Sequence, residues 1–362
     1  MKKCLLAVLL FSAAVAYAAA PPTLVYKGDT LDFNYGWRRA QCGSVSSSIG
    51  LPEISGIACS RVTPGYIWMQ SDDYESFIVA TDEKGEKCYM KVKFSKKIRW
   101  DWEDMSGGVY NDVNYLFIGA FGDNDETDGN YHIVYLEEPA IGEQSEITVT
   151  PGDIKFQYPE GLKHNCEALM YDNRDQMLYI ITKVYYNVCQ VFKLPFRLDY
   201  GDELQTLEYV CDLGVKSDLG DGAKPYKGFH LVTGADISPD GKYILIKNHN
   251  NIVAKFSWIL YWVRQDGESV AETVTNRTPQ PLYCYQSEWQ GEAICWLDDD
   301  TFYTTSDSDG EPPIFRYKRK WGEGIENTSM DNKEGNKLIM MGNTLYVRSN
   351  ENLYTLDGRK VK

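Results

Sequence analysis

Four histidines in 362 residues leave little material for imidazole metal centres, and no CxxC pair offers a zinc clip. No GxSxG elbow, HExxH, P-loop or GxGxxG occurs, which removes the usual serine-hydrolase, metalloprotease and nucleotide-binding readings. Positive charge is in deficit: 37 Lys and Arg face 52 Asp and Glu, a formal net charge of −15. Such a surface repels nucleic acid, whose partners neutralise phosphates with Lys and Arg. Helical periodicity is missing too, and no internal hydrophobic run approaches membrane-span length.

The one apolar run of note is N-terminal. Lys2 and Lys3 precede Leu5 to Ala16, and "AYA" (Ala16–Ala18) offers the small-x-small pattern of a signal peptidase site. Residues 1–18 therefore read as a signal peptide. Cys4 precedes the apolar run, which argues against a lipoprotein anchor. The expectation is an exported protein, periplasmic, extracellular or cell-surface, with no membrane span, taken as a monomer. Losing Lys2 and Lys3 would move the net charge from −15 to −17. Eight cysteines would remain, several inside apolar strand patterns ("SGIACS", "EAICWL"), where a buried free thiol is the common outcome.

What is present in quantity is aromatic residues, 13% of the chain with 26 Tyr and 9 Trp, a level suited to strands. An acidic residue beside a short apolar strand recurs five times: "LPEISGIA" (Glu53), "DWEDMSG" (Glu103), "NCEALMY" (Glu167), "TGADISPDG" (Asp236) and "QGEAICW" (Glu292). A second strand with a polar end follows each: "YIWMQSDD", "YLFIGAFGDND", "MLYIITK", "YILIKNHN" and "TFYTTSDSD". A third run follows that. Antiparallel strands repeating at this length predict an all-β fold, a single β-propeller of five to six blades over residues 19–320. A long sandwich competes, but does not predict one acid at the same place in each repeat. A sixth blade could draw on "TLVYKGD" (23–29). Residues 216–230 read as a surface-loop insertion, and 321–362 as a small C-terminal β-appendage, a possible sorting segment.

Inner strands of a propeller line its channel, so the five acids are expected to ring the axis. Asp72 and Asp73, Asp123 and Asn124, Thr182 and Lys183, Lys247, and Ser306 and Asp307 are expected nearby. Crowded carboxylates raise one another's pKa or recruit a cation, and oxygen donors without His or Cys favour Ca²⁺. Acids at blade tops also serve simply to cap amides or pair with lysines. In "WDWEDM" (100–105), strand alternation would turn Trp100 and Trp102 toward the blade interface and the acids toward the channel. "GDNDETDG" (122–129) and "TSDSDG" (305–310) lack the closing Glu of a calcium loop. His164, beside "NCEAL", reads as a hydrogen-bonded structural residue.

The ordered set "LPEISGI", "DWED", "GDN", "EAL", "TK", "TGADISPDG" and "QGEA", over roughly residues 50–317, resembles a widespread, largely uncharacterised group of secreted bacterial β-propellers. That group is distantly similar to phytase-like and esterase-like propellers. The resemblance implies a channel-mouth site and calcium dependence. By motif it carries over Glu53, Asp101, Glu103, Asp104, Asp123, Asn124, Glu167, Lys183, Asp236 and Glu292. The chain lacks the dense Lys, Arg and His set that an inositol-phosphate hydrolase needs for several phosphates. Two functions follow. One is a hydrolase of an ester, lactone or phosphoester, with Glu103 or Glu167 as base, Lys183 and Lys247 stabilising negative charge, and Ca²⁺ on Glu53, Asp101, Asp104, Asp123, Asn124, Asp236 and Glu292. The other is a non-catalytic propeller binding a small molecule, glycan or protein.

Overall fold

The computed structural model describes residues 36–319 except 73–75, 98–100, 143, 185–187, 214, 219–230, 251–255, 285–287, 289 and 308–309. It also describes the end strands Thr23–Tyr26, Asp29–Leu31, Asn336–Met341, Thr344–Ser349 and Asn352–Thr355. The proposed signal peptide, Trp100, Asp73 and most of the 216–230 insertion lie outside the described residues.

Five antiparallel sheets follow one another along the chain, each led by a strand buried along most of its length. These inner strands are Ile54–Cys59, Trp102–Tyr110, Cys166–Asp172, Val232–Ile237 and Ile294–Asp298. Sequences such as "ISGIAC" and "CEALMYD" are apolar or small on both faces, as a strand covered by neighbours on each side requires. Five hydrophobic clusters each sit between consecutive sheets. One joins the first and second through Trp68, Trp102 and Leu116; another joins the fifth back to the first through Tyr303, Ile314, Ile54 and Ile57. Each fully buried Leu, Ile or Phe in them contributes roughly 1.5–3 kcal/mol. The ring is closed, and the fold is a five-bladed β-propeller.

The fifth blade is completed from the other end of the chain. Its outer strand is Trp37–Ser44, paired antiparallel with Pro313–Arg319. Of the five and six blades that the sequence left open, the described residues form five. Thr23–Tyr26 instead pairs with Asp29–Leu31 and Val215–Asp218 in a separate three-stranded sheet. The first two blades gain a fifth strand in parallel, Glu146–Val149 on Met90–Phe94 and Gln205–Thr206 on Gly152–Gln157. One α-helix, Val270–Asn276, interrupts the fourth blade. Ser269 and Glu272 form a capping box at its start, and Val270 and Val274 join the cluster between blades three and four. Asn336–Met341, Thr344–Ser349 and Asn352–Thr355 pair with one another in a three-stranded sheet.

The eight cysteines of the described residues are free thiols, six of them buried. Among the described residues no helix is long and apolar enough to cross a membrane.

Candidate functional site

Each inner strand enters the channel through the same backbone hydrogen bond. An amide within three residues of the end of the second strand donates to a carbonyl just ahead of the inner strand. The pairs are Asp72 to Glu53, Gly122 to Asp101, Lys183 to Asn165, His249 to Leu231 and Asp307 to Gln290. Four of the accepting residues, Glu53, Asp101, Leu231 and Gln290, have φ of 48°, 82°, 54° and 48°. Non-glycine residues rarely hold this left-handed conformation, at a cost of order 1–3 kcal/mol each, and such strain gathers at functional sites.

This ladder fixes which side chains share a level. Two residues after each carbonyl come Ser55, Glu103, Glu167, Thr233 and Glu292, all buried. Above them stand Asp72, Gly122, Lys183, His249 and Asp307. The structure therefore corrects the alignment of the five repeated acids. Glu103, Glu167 and Glu292 occupy one level. Glu53 sits two residues too early and is exposed, and Asp236 three residues too late. The shared level is a bulge, between Ile54 and Gly56, Trp102 and Met105, Cys166 and Ala168, and Val232 and Gly234, and in the first and fourth blades it is filled by Ser55 and Thr233 while the acid falls before or after it. A bulge inserts an unpaired residue and re-aims the side chains around it.

The bulge also resolves the crowding in "WDWEDM". Trp102 pairs with Ala120 and Met105 with Ile118, so Glu103 and Asp104 together oppose a single residue. Strict alternation would have put Asp104 on the tryptophan's side. Instead Trp102 packs against Phe94, 5.3 Å between ring centroids, while both acids turn to the channel.

Below the mouth, Asp104 and Asp236 fasten blades together. Asp104 Oδ2 accepts from the Leu169 amide at 2.8 Å and the Ala235 amide at 3.1 Å, and Oδ1 from Met105. Asp236 accepts from Ser106 Oγ and the Trp296 amide. Burial pushes Asp104 well above the ordinary aspartate range and Asp236 up to about 6, against the pull of these donors. Gly56 permits the close approach here, since a Cβ on it would lie 2.6 Å from the Met105 amide nitrogen.

At the mouth, Glu167 forms an ion pair with Lys183 and Glu292 one with His249, the latter at 3.0 Å. Asn165 bridges Glu167 to Asn124. Burial, then Glu167 and Asp101, lift the Glu103 carboxyl well above its usual value. Glu167 is raised by burial despite Lys183. Burial also works against Glu292, yet His249 and Lys183 bring it below normal. Gly122 makes room for Glu103; a Cβ there would meet Glu103 Oε1. Asp123 turns away into its own loop, accepting from the Thr127, Asp128 and Gly129 amides and Tyr131 Oη. Burial would raise it, but these donors hold it low. His164 lies on the third-blade rim, edge-on to Tyr158.

Lys247 does not reach the mouth. Its ammonium is wholly buried against Glu288 Oε2 at 2.9 Å and the carbonyls of Ala293 and Thr305. Arg39 holds the other side of Glu288. Burial opposes the charge, but Lys247 and Arg39 pull Glu288 down to about 2. His249, two residues later in "YILIKNHN", is the group that faces Glu292. The signal that could have found it is its match to Lys183 at the end of the second strand.

Calcium needs six to eight oxygens converging at about 2.3–2.6 Å. Asp104, Asp123 and Asp236 engage both oxygens with amide or hydroxyl donors, so the seven anticipated ligands do not share one sphere. Among the described residues no three His, Cys, Asp or Glu side chains gather as a metal site requires.

Asp72 carries the clearest titration. Burial, followed by Glu53, Asp307, Glu292 and Glu167, holds it up to about 8 from the ordinary 3.8. The folded state therefore keeps a proton that the unfolded chain has released. Its contribution is complete below pH 4 and is lost as pH rises toward 8. Asp72→Asn removes this dependence. Differential scanning fluorimetry should show the variant gaining roughly 3 °C over wild type between pH 5 and pH 8. Parallel melting curves at both values would show that Asp72 is not crowded in this way.

No protein family and no curated protein matches the chain. Solved structures of similar outline exist at low likeness. Hydrazine synthase of Kuenenia stuttgartiensis is 10% identical with a TM-score of 0.37, covering 78% of this chain and 81% of its own. The Cps50 (Swd1) β-propeller domain of Myceliophthora thermophila is 14% identical, TM-score 0.32, covering 72% and 82%. A structural-genomics protein of unknown function from Bacteroides thetaiotaomicron is 12% identical, TM-score 0.37, covering 82% and 75%. At these values they carry no functional argument, and the site's own chemistry must supply one.

Proposed function

We propose that the channel mouth is the active site of a hydrolase acting on an ester, lactone or phosphoester. The observation that carries this reading is Glu167 in an ion pair with Lys183, with Glu103 buried on the same level of the mouth. Burial raises both carboxyls, but at Glu167 the Lys183 ammonium favours the charged form, which divides the two into an acid and a base. Glu103, without an ion-pair partner of its own, keeps its proton and acts as acid. Glu167, held by the Lys183 ammonium, is the base. Glu167 takes a proton from water as the water oxygen bonds to the carbonyl carbon or phosphorus. Glu103 gives its proton to the leaving oxygen, and Lys183 steadies the negative charge that develops between them. Lys247 has no part in this step, because Glu288 holds it.

The test is turnover of p-nitrophenyl acetate, p-nitrophenyl butyrate and bis-p-nitrophenyl phosphate by the purified protein. Glu103→Gln and Glu167→Gln should each lower kcat by about 10²–10⁴-fold with melting unchanged. Equal rates in wild type and both variants would sink the assignment.

A second reading, a non-catalytic binding propeller, is favoured by the unpartnered oxygens of Asp72 and Glu292 at the mouth. The calcium that the resemblance implies would not draw on Asp104, Asp123 or Asp236, whose oxygens already accept from amide and hydroxyl donors. Export of the chain, monomeric state and a sorting role for the C-terminal sheet belong to the same proposal, supported by the sequence patterns alone.

A further inference from the structure

Several buried acceptors near the mouth have no donor. Glu292 Oε2, Asp72 Oδ1 and Gln70 Oε1 are shielded from solvent and make no hydrogen bond. Gln70 is wholly buried and Glu292 is 6% exposed. Gln70 lies in the strand Tyr66–Ser71, and Asp72 follows directly after its end, where its amide bonds the Glu53 carbonyl. Ser306 Oγ, beside Asp307 on the fifth blade, is buried without a partner as well. A buried acceptor left without a donor is destabilising, so the set calls for one.

The charge around these atoms is one-sided. Glu53, Asp72, Glu103, Glu167, Glu292 and Asp307 surround two basic groups, Lys183 and His249. Both bases are engaged, with Glu167 and Glu292 respectively. A cation suits this surrounding better than a neutral occupant, and one that binds at Asp72 would displace the proton held there. A metal ion needs its donors to converge on one point, which they do not do among the described residues. The open oxygens are instead spread over the first and fifth blades. An ammonium group suits that spread, because its three N–H donors diverge tetrahedrally and each takes a separate acceptor.

We propose that the mouth receives a small ligand through a protonated primary amine, seated between Asp72 and Glu292. This rests on the mouth being the ligand site and names the chemical class that enters it. The amine-bearing end lies on the first- and fifth-blade side. The scissile group, where there is one, lies toward Glu103 and Glu167.

Isothermal titration of the full chain at pH 7 with n-butylammonium, 1-butanol and CaCl₂ tests this. Butylammonium should bind, butanol should not, and Asp72→Asn and Glu292→Gln should each weaken butylammonium at least tenfold. Glu208→Gln, exposed on the outer strand of the third blade, should leave that binding within about twofold. Equal binding of butanol overturns the proposal. So does stoichiometric calcium binding with no butylammonium binding, or indifference to both substitutions in folded protein. Amine binding without hydrolysis of any p-nitrophenyl substrate would retire the hydrolase and keep the amine site. Hydrolysis that butylammonium neither inhibits nor binds would do the opposite.

Discussion

Asp104→Ala is expected to cost about 4 kcal/mol, read as a lowered urea midpoint with little change in slope. The carboxylate takes the amides of Met105, Leu169 and Ala235, which belong to blades two, three and four. Alanine would leave three buried N–H groups without acceptors, each worth about 1–3 kcal/mol. Asp104→Asn keeps one strong acceptor oxygen and should cost much less. The comparison discriminates between roles. A metal ligand would lose its effect when chelator is present, whereas a fastener between blades destabilises the protein equally with or without calcium. Loss of stability seen only in calcium-loaded protein would return Asp104 to the ligand set.

Lys247→Met should be nearly as damaging, at about 3–5 kcal/mol. It removes the ammonium from Glu288, which is buried between Lys247, Arg39, Thr304 and Tyr317. The uncompensated carboxylate, rather than the lost attraction, accounts for most of that cost. The double variant Lys247→Met/Glu288→Gln should therefore recover most of the loss, and a double-mutant cycle in urea measures the recovery. The pH sense is fixed by Glu288, whose carboxyl sits at about 2 in the folded protein. A depressed acid stabilises above its unfolded value near 4.5 and loses that contribution as pH falls toward 2. Additive losses in the double variant would show that the pair does not act as a unit.

The blades were legible because hydrophobic strands and polar turns repeat along the chain, and the closed clusters between sheets follow from that repetition. Register at the channel was not legible. Glu53 and Asp236 looked equivalent to Glu167 in sequence, yet Glu167 is itself the bulged residue of its strand, a place that Ser55 and Thr233 take in the first and fourth blades. A one-residue insertion in a strand carries little local sequence signal, although it redirects side chains. Lys247 resembled Lys183 as a basic residue near the end of a second strand. Its partner Glu288 lies 41 residues away on the approach to the next blade, and no local pattern announces it. The closing strand was hidden for the same reason: Trp37–Ser44 meets its partner across the full length of the ring.

That last pairing bears on how the molecule is made. Cys42 and the Ile314 carbonyl touch across 272 residues of sequence. A chain emerging from its N-terminus must hold Trp37–Ser44 unpaired until almost the whole ring has been synthesised. Contacts of such long range slow folding, and the open β-edge of a half-built ring is exposed to aggregation meanwhile. Assembly is therefore a late, all-or-nothing event that waits on "PIFRYKR".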